Sequence, residues 1–311
     1  MRREKAGAGH SLLLLLAAFI WGMAFVSQSK GMDYMGPLTF NGVRSLIGSL
    51  VLVIYLGIRH GAAGHKAGKT EEKRDWRLTV KAGVCCGLAL TAASTLQQYG
   101  IQYTTVGKAG FITTLYIIFV PIAGIFFRRR VSGIVWLGAV MAAAGMYLLC
   151  MTESLSLGRG DLLVFLCALV FTVHILLVDY FSPRTDGVMV SCIQFAVCGI
   201  LCGVGALVWE NPTISQLQDG LGSLAYAGVL SCGVAYTLQI VGQRGVNPTV
   251  AALILSLESV FATVSGWIAY KIGFLTTDQT MTGRQIVGCI LVFAAVVLVQ
   301  LPEKWFRFGR S

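Results

Sequence analysis

Charged residues are scarce in this sequence of 311 residues. Asp and Glu together number 14, Lys and Arg number 24, and the four charged types make up 12% of the chain. A soluble globular protein carries about a quarter charged residues, because it must cover its surface with them. Hydrophobic residues make up 56% of this chain. The composition therefore argues against a soluble enzyme, a nucleic-acid-binding domain and a disordered regulator, and it predicts an integral membrane protein.

Sequence motifs of catalysis and of metal binding are also missing. The chain has no His-Glu-x-x-His, no Gly-x-Ser-x-Gly, no P-loop and no pair of aspartates inside an apolar stretch. The nine cysteines lie in or at the ends of apolar stretches, without the spacing of a zinc site. We interpret them as small core residues. The sequence thus predicts no enzyme, no cofactor, no metal and no ATP-driven step, so any energy for transport must come from gradients.

Long apolar stretches are what the sequence has instead. A helix needs about 20 apolar residues to cross a hydrocarbon core of about 30 Å. Ten such stretches occur, separated by clusters of Lys, Arg, Pro and Gly. They do not alternate between apolar and polar residues as barrel strands do, which predicts an all-α membrane protein. The ten predicted transmembrane helices cover residues 11–28, 38–58, 80–99, 109–127, 131–151, 162–181, 188–208, 221–241, 249–270 and 285–301.

The first of these stretches has a second interpretation. Arg2, Arg3 and Lys5, followed by the run at 12–16, resemble a secretory signal. The apolar run continues to Val26, however, and this is longer than the apolar region of a typical signal. We therefore interpret it as the first transmembrane helix.

The distribution of basic residues predicts the orientation in the membrane. Cytoplasmic loops of membrane proteins carry an excess of Lys and Arg. With the N-terminus in the cytoplasm, 18 of the 24 Lys and Arg fall on the cytoplasmic side, five fall outside, and Arg44 lies within a helix. The sequence predicts a multi-pass protein of the cell membrane with both termini in the cytoplasm. Its net charge of +10 then indicates attraction to the lipid bilayer, with no nucleic-acid partner.

An internal repeat appears when the chain is shifted by 142 positions. The tripeptide Thr95-Leu96-Gln97 then falls on Thr237-Leu238-Gln239, and further residues match in the same ungapped register. Two repeats, 1–155 and 156–311, would each hold five helices. Because five is an odd number, the second repeat must be inverted in the membrane. Inverted repeats are frequent in secondary transporters, where the substrate lies between them near the midplane.

Several local patterns resemble one transporter family. They are Trp21-Gly22 with Phe25, Arg44 after the turn at Pro37, the Gly-rich corner between the third and fourth helices, residues 256–262 (SLESVFA), and residues 285–288 (QIVG). In these patterns the chain resembles the EamA-type members of the drug/metabolite transporter superfamily. The resemblance implies ten helices, both termini in the cytoplasm, and transport of small organic solutes such as amino acids or related metabolites. Export is implied by the same analogy alone.

Glu258 is the first candidate for the substrate-binding or coupling site. It lies about ten residues into the ninth predicted helix, near the midplane, where an acidic side chain costs roughly 2.5 to 3.5 kcal/mol and usually faces a cavity or a partner. Its equivalent in the repeat is Tyr116, so the two residues should lie close to the axis between the repeats. We hypothesise that Glu258 binds a cationic group of the substrate or a coupling proton. The alternative is a structural carboxyl that is hydrogen-bonded to a neighbouring helix.

Arg44 and His174 are the other ionisable candidates deep in the predicted helices. Arg44 lies roughly two turns from the outer end of the second helix. A packing anchor that reaches toward the membrane surface is the favoured interpretation, and a clamp for an anionic substrate is the alternative. His174 lies near the midplane of the sixth helix. A hydrogen-bonded core residue is the favoured interpretation here, and a proton relay is the alternative.

Amide and aromatic side chains repeat at helical spacing on three predicted helices. The three faces are Trp21, Phe25 and Gln28; Ser94, Gln98 and Gln102; and Tyr236, Gln239 and Gln243. Such a mixture suits a pocket that hydrogen-bonds a zwitterion and stacks an apolar group, although polar contacts between helices would use the same residues. We select Trp21, Gln98, Tyr236 and Gln239 as binding candidates.

The sequence therefore favours a secondary transporter with alternating access and a small-molecule substrate. Proton coupling stays open. The main alternative is a channel or a flippase for lipids or lipid-linked headgroups with the same fold, and an intramembrane enzyme is the remaining class.

Overall fold

The structure is a computed structural model that describes residues 8–63, 75–126, 132–150, 158–244, 246–276 and 278–300. Within these ranges the chain is helical and contains no strands. The helices are α1 (Ala8–Gly31), α2 (Pro37–Ala63), α3 (Trp76–Ile101), α4 (Val106–Thr114), α5 (Tyr116–Phe126), α6 (Gly133–Cys150), α7 (Arg159–Phe181), α8 (Gly187–Trp209), α9 (Ile214–Asp219), α10 (Leu221–Ala225), a π-helix (Tyr226–Ala235), α11 (Tyr236–Gly242), α12 (Pro248–Leu255), α13 (Leu257–Lys271) and α14 (Gly283–Gln300).

Eight helical segments of the described chain are long and apolar enough to cross a membrane, which confirms a multi-pass membrane protein. They are Gly9–Gly31, Pro37–His60, Trp76–Ile101, Val106–Phe126, Arg159–Phe181, Gly187–Trp209, Leu221–Gly242 and Pro248–Lys271. Two shorter apolar helices, Gly133–Leu148 and Gly283–Val299, lie where the fifth and tenth spans were predicted. All ten predicted stretches are thus helical over most of their length.

Two of the long segments are broken near their middle, which the sequence did not predict. Leu115 separates α4 from α5, and Ser256 separates α12 from α13. At each break a hydroxyl group bonds a carbonyl three residues earlier: Thr114 Oγ1 donates to the Phe111 carbonyl at 2.8 Å, and Ser256 Oγ to the Leu253 carbonyl at 2.7 Å. Side chains that bond the backbone in this way compete with helical hydrogen bonds and bend helices. The two hydroxyl residues, Thr114 and Ser256, are related by the 142-residue shift, and the breaks themselves agree with it to within one residue.

Most close helix pairs join the first half of the chain to the second. Helix α1 packs against α13 and against the π-helix and α11, α2 packs against α8, α3 packs against α7 and α8, and α6 packs against α14. Gly22 permits the approach of α1 to α13, because a Cβ atom there would overlap the side chain of Phe261 and lie 2.9 Å from the backbone nitrogen of Ala262. The core is therefore built between the halves rather than within each.

We name the two ends of the bundle by their turns. The distal end carries the turn between α1 and α2 at 32–36, and the proximal end carries the turn between α7 and α8 at 182–186. The charge distribution of the sequence predicts that the distal end faces outward.

Carboxylates hold α2 and α8 together at both ends. At the distal end, Glu210 accepts hydrogen bonds from the backbone nitrogens of Leu38, at 2.9 Å, and Thr39, at 2.7 Å, in the first turn of α2. At the proximal end, Asp186 accepts hydrogen bonds from the first turn of α8, and it forms an ion pair of 2.9 Å with Arg59 of α2. Each carboxylate thus meets free N–H groups and the positive end of a helix dipole.

Replacing Asp186 by alanine should lower the free energy of unfolding by about 1 to 2 kcal/mol, because α8 loses its N-cap. Asparagine keeps the capping oxygen but loses the charge, so Asp186→Asn should cost less. Thermal unfolding of the purified variants in detergent measures both effects. Equal stability of the wild type and the alanine variant would contradict this account of the proximal end.

The same carboxylate predicts a pH dependence. Burial raises the pKa of Asp186, but hydrogen bonds from Arg59 and from the backbone outweigh it, and the pKa lies below its ordinary value of 3.8. Because the pKa is lower in the folded than in the unfolded protein, the stabilisation is fully present above the ordinary value and is lost as the pH falls through the folded-state value. The Asp186→Asn variant should lack this part of the acid sensitivity, and an identical acid profile in wild type and variant would contradict the assignment.

Candidate functional site

A cavity lies in the middle of the bundle, between the two halves of the chain. The centre of a water molecule can occupy about 30 Å³ of it, which is room for about two waters. The cavity is therefore narrow in this structure. Its lining residues are Trp21, Phe25, Gln28, Arg44, Gln97, Thr113, Tyr116, Phe171, Ile175, Ser231, Tyr236, Gln239, Leu255 and Glu258.

Glu258 and Tyr116 meet in this cavity. The Tyr116 hydroxyl donates a hydrogen bond to Glu258 Oε1 at 3.1 Å, and both side chains are buried. The contact joins two residues that are 142 positions apart, the spacing of the internal repeat. Both also follow a helix break, since Tyr116 begins α5 and Glu258 lies in the first turn of α13. The N-terminal end of α13 supplies a positive electrostatic potential at the Glu258 carboxyl group.

Arg44 is the other charged residue that lines the cavity. Its side chain is buried, and its guanidinium lies 5.4 Å from the ring centre of Phe40, one helical turn nearer the start of α2. Within the described part of the chain, no carboxylate lies within ion-pair distance of Arg44, and its guanidinium makes no hydrogen bond. A buried cation without a counter-ion is unfavourable. An anionic group that enters the cavity would therefore be attracted to Arg44.

Tyr236 stands at the centre of an aromatic cluster. Its ring lies 4.6 Å from that of Trp21, 5.1 Å from that of Phe195 and 6.0 Å from that of His174, each in an edge-to-face arrangement. Such edge contacts fix the position of a ring. Near it, Trp21 Nε1 and Gln239 Oε1 are buried without a hydrogen-bond partner among the described residues. The cavity thus combines rigid aromatic walls with a donor and an acceptor that a ligand can use.

Six of the eight site residues selected from the sequence line the cavity, and two do not. The six are Glu258, Tyr116, Arg44, Trp21, Tyr236 and Gln239. Gln98 is fully buried against α1, where its Nε2 donates to the Gln28 carbonyl at 3.2 Å. Its neighbour Gln97 lines the cavity instead and donates from Nε2 to Thr113 Oγ1 at 3.1 Å.

His174 lies one layer behind the cavity. It is fully buried, and its Nε2 is 3.1 Å from Gln194 Oε1, while its ring packs against those of Phe171 and Tyr236. His174 Nδ1 has no hydrogen-bond partner among the described residues. These contacts fit a residue that positions the ring of Tyr236.

The lining also includes residues that the sequence analysis did not select. Gln97 is the repeat equivalent of Gln239 under the 142-residue shift, so the repeat itself contained the signal that could have found it. Phe171 and Ile175 are apolar residues of α7, and nothing in their sequence separates them from residues that face lipid. Ser231 lies in the π-helix, whose altered turn changes which residues share a face.

Comparison with known proteins gives a consistent result. The model of the EamA-like transporter family matches residues 10–151 and 158–301. An "Uncharacterized transporter" of Archaeoglobus fulgidus is 29% identical over 93% of this chain and 84% of its own length. "Uncharacterized transporter YoaV" of Bacillus subtilis is 21% identical over 92% of this chain and 94% of its own. "WAT1-related protein At3g02690, chloroplastic" of Arabidopsis thaliana is 21% identical over 94% of this chain and 69% of its own.

A solved structure, described as "Crystal structure of protein", has a similar fold. It superposes with a TM-score of 0.71 at 16% identity, over 97% of this chain and 99% of its own. At that identity the similarity concerns the fold alone.

Proposed function

Because this chain belongs to the EamA-like transporter family, we propose that it is a secondary transporter that moves a small organic solute across the cell membrane. The solute is an amino acid or a related metabolite. The observation that carries the proposal is the central cavity, in which Glu258, Tyr116 and Arg44 are buried between the two halves of the chain. Buried ionisable residues in membrane helices usually mark a substrate or ion pathway.

Alternating access between two inverted five-helix repeats is the proposed mechanism. Its support is the packing. When the two halves are exchanged, the contacts of α1 with α13 correspond to those of α7 with α5, and the contacts of α3 with α8 correspond to those of the π-helix with α2. The breaks at Leu115 and Ser256 follow the 142-residue relation to within one residue. In this proposal α6 and α14 also cross the membrane, which gives ten transmembrane helices. The narrow cavity then represents a state in which access to the substrate site is restricted.

The proposal also covers the orientation of the protein in the membrane, the direction of transport and the binding of a coupling proton. The proximal end, which carries Arg59, Arg184 and Arg244, faces the cytoplasm, because basic residues concentrate on that side. Glu258 is the residue that binds a cationic group of the solute or a coupling proton. Export is the direction that the family analogy suggests.

Flux measurements in proteoliposomes test this function. A panel of radiolabelled amino acids and related metabolites is presented with and without a pH gradient. A secondary transporter should give saturable flux of at least one soluble solute, and proton coupling should make that flux depend on the gradient. If no soluble solute moves while a fluorescent lipid is translocated between leaflets, the protein is a flippase and the proposal is wrong.

Replacing His174 by asparagine tests its role behind the cavity. We expect the flux to fall about 2- to 10-fold, because Tyr236 loses a packing partner and Gln194 loses the imidazole hydrogen bond. The shape of the pH dependence between about pH 5 and pH 8 should stay unchanged. A changed pH profile in His174→Asn would favour a proton relay over a positioning role.

A further inference from the structure

The central cavity contains one buried acid and one buried base that do not pair with each other. Glu258 is hydrogen-bonded to Tyr116 at 3.1 Å, and Arg44 contacts Phe40. We propose that the substrate is a zwitterion whose carboxylate group binds Arg44 and whose ammonium group binds Glu258, with its side chain against the aromatic wall. This inference rests on the proposed transport function and assigns the two charges of the substrate to two residues.

The depth of the two residues in the bundle fits a small zwitterion. Arg44 is seven residues from the start of α2, and Tyr116 is ten residues from the start of α4; both helices begin at the distal end. At a rise of 1.5 Å per residue, these positions lie about 10 Å and about 15 Å from that end. Arg44 and the Tyr116–Glu258 contact therefore differ by about 5 Å in depth along the bundle axis, and both border the same cavity.

Tyr236 lines the cavity together with Arg44 and Glu258. Its ring is held in place by edge-to-face contacts with Trp21, Phe195 and His174. A ligand that offers only one charge would leave the other cavity charge without a counter-ion, which is costly in a medium of low dielectric constant.

The remaining polar atoms of the cavity suit an uncharged, largely apolar side group. Trp21 Nε1, Gln28 Oε1 and Gln239 Oε1 are buried without a hydrogen-bond partner among the described residues. Phe25 and Phe171 provide apolar surface beside them. No third ionisable side chain lines the cavity in the described part of the chain apart from Tyr116 and Tyr236. A second charge on the substrate side group would therefore have no counter-ion.

The experiment compares matched ligands that differ only in charge. The purified full chain is unfolded thermally in detergent with L-alanine, L-leucine or L-phenylalanine. Each amino acid is paired with its amine (ethylamine, isopentylamine, phenethylamine) and with its acid (propionate, 4-methylpentanoate, 3-phenylpropionate). At least one amino acid should raise the unfolding midpoint. Its amine and its acid should bind at least about tenfold more weakly, since each lacks one charge-assisted contact.

Two variants test which residue binds the carboxylate group of the substrate and which binds its ammonium group. In Arg44→Gln, the affinity for the amino acid should fall to that of its amine, and binding of the amine should stay as in the wild type. In Glu258→Gln, the affinity for the amino acid should fall to that of its acid, and binding of the acid should stay unchanged. If Arg44→Gln does not fold, Arg44→Lys keeps a charge but loses the planar fork, and it should retain a weaker preference for the carboxylate.

Matched controls lie outside the cavity on the same pair of helices. Arg59→Gln removes an arginine from α2, and Glu210→Gln removes a partly buried carboxylate from the end of α8. Both should lower the unfolding midpoint without ligand, and both should leave the ligand-induced shift unchanged.

Three results would overturn the inference. The first is an amine that binds wild type as tightly as its amino acid, and the second is an Arg44→Gln variant that still distinguishes the two. The third is a panel in which no amino acid binds while another class of solute is transported in proteoliposomes; that result leaves the proposed transport function standing. If no soluble solute is transported at all, the proposed function itself fails.

Discussion

Glu258→Gln should lower the initial rate of solute flux in proteoliposomes by about 10- to 150-fold, the largest loss that we expect from one substitution in the cavity. The substitution keeps the shape of the side chain but removes its charge. A hydrogen bond to a charged group contributes about 1.5 to 3 kcal/mol, which corresponds to this range of rates. The variant also cannot take up or release a proton, so the dependence of flux on pH should become flatter.

Two further substitutions distinguish the effect of the Glu258 charge from the effects of its hydrogen bond and of losing a carboxylate elsewhere. Tyr116→Phe removes only the hydroxyl that donates to Glu258, so we expect a loss of about 2- to 10-fold, as for a neutral hydrogen bond. Glu210→Gln removes a carboxylate outside the cavity and should leave the flux per folded molecule unchanged. Full transport by Glu258→Gln with an unaltered pH profile would contradict the role of Glu258 in binding a cationic group or a coupling proton.

Gly22→Ala should have the largest effect on stability, with a loss of about 2 to 3 kcal/mol in the free energy of unfolding. The new Cβ atom would overlap the side chain of Phe261 and lie 2.9 Å from both the Ala262 nitrogen and the Glu258 carbonyl oxygen. Two helix backbones must then separate, because no flexible side chain end can move aside. Since α13 carries Glu258, flux should fall as well.

The matched control is another glycine within a long helix. At Gly203 of α8, an added Cβ atom would meet no other atom within 4 Å. Gly203→Ala should therefore be neutral or stabilise the protein by up to about 1 kcal/mol through helix propensity. Thermal unfolding of both variants in the same detergent measures the difference. Equal unfolding midpoints would show that α1 does not pack tightly on α13 at Gly22.

The positions of the helices could be predicted from the sequence, because burying uncharged stretches of about 20 residues leaves few alternatives in lipid. The helix breaks could not be predicted from the sequence. Thr91 bonds the Gly87 carbonyl at 2.7 Å inside the unbroken α3, whereas Thr114 bonds the Phe111 carbonyl at a break. The hydroxyl is the same in both cases. The outcome depends on whether neighbouring helices leave room for the bend, which only the folded structure determines.

The candidate site could likewise be predicted only in part from the sequence. The contact of Tyr116 with Glu258 could be predicted because a buried acid needs a partner and the repeat indicated which residue stands opposite. On α3, helical spacing pointed to Gln98, but Gln97 lines the cavity. Adjacent residues differ by only about 100° around a helix, and both side chains are buried. Choosing between them requires the rotation of α3 about its axis, which is set by packing against α7 and α8.

The packing of α1 on α13 also determines when the protein can finish assembling during synthesis. Gly22 and Phe261 are about 240 positions apart, and a ribosome adds roughly 5 to 20 residues per second. Helix α1 is therefore synthesised tens of seconds before α13. During that interval α13 cannot cover the face of α1 at Gly22. A nascent chain that stops before residue 257 lacks both the Glu258 carboxyl group and the helix that closes α1 into the bundle.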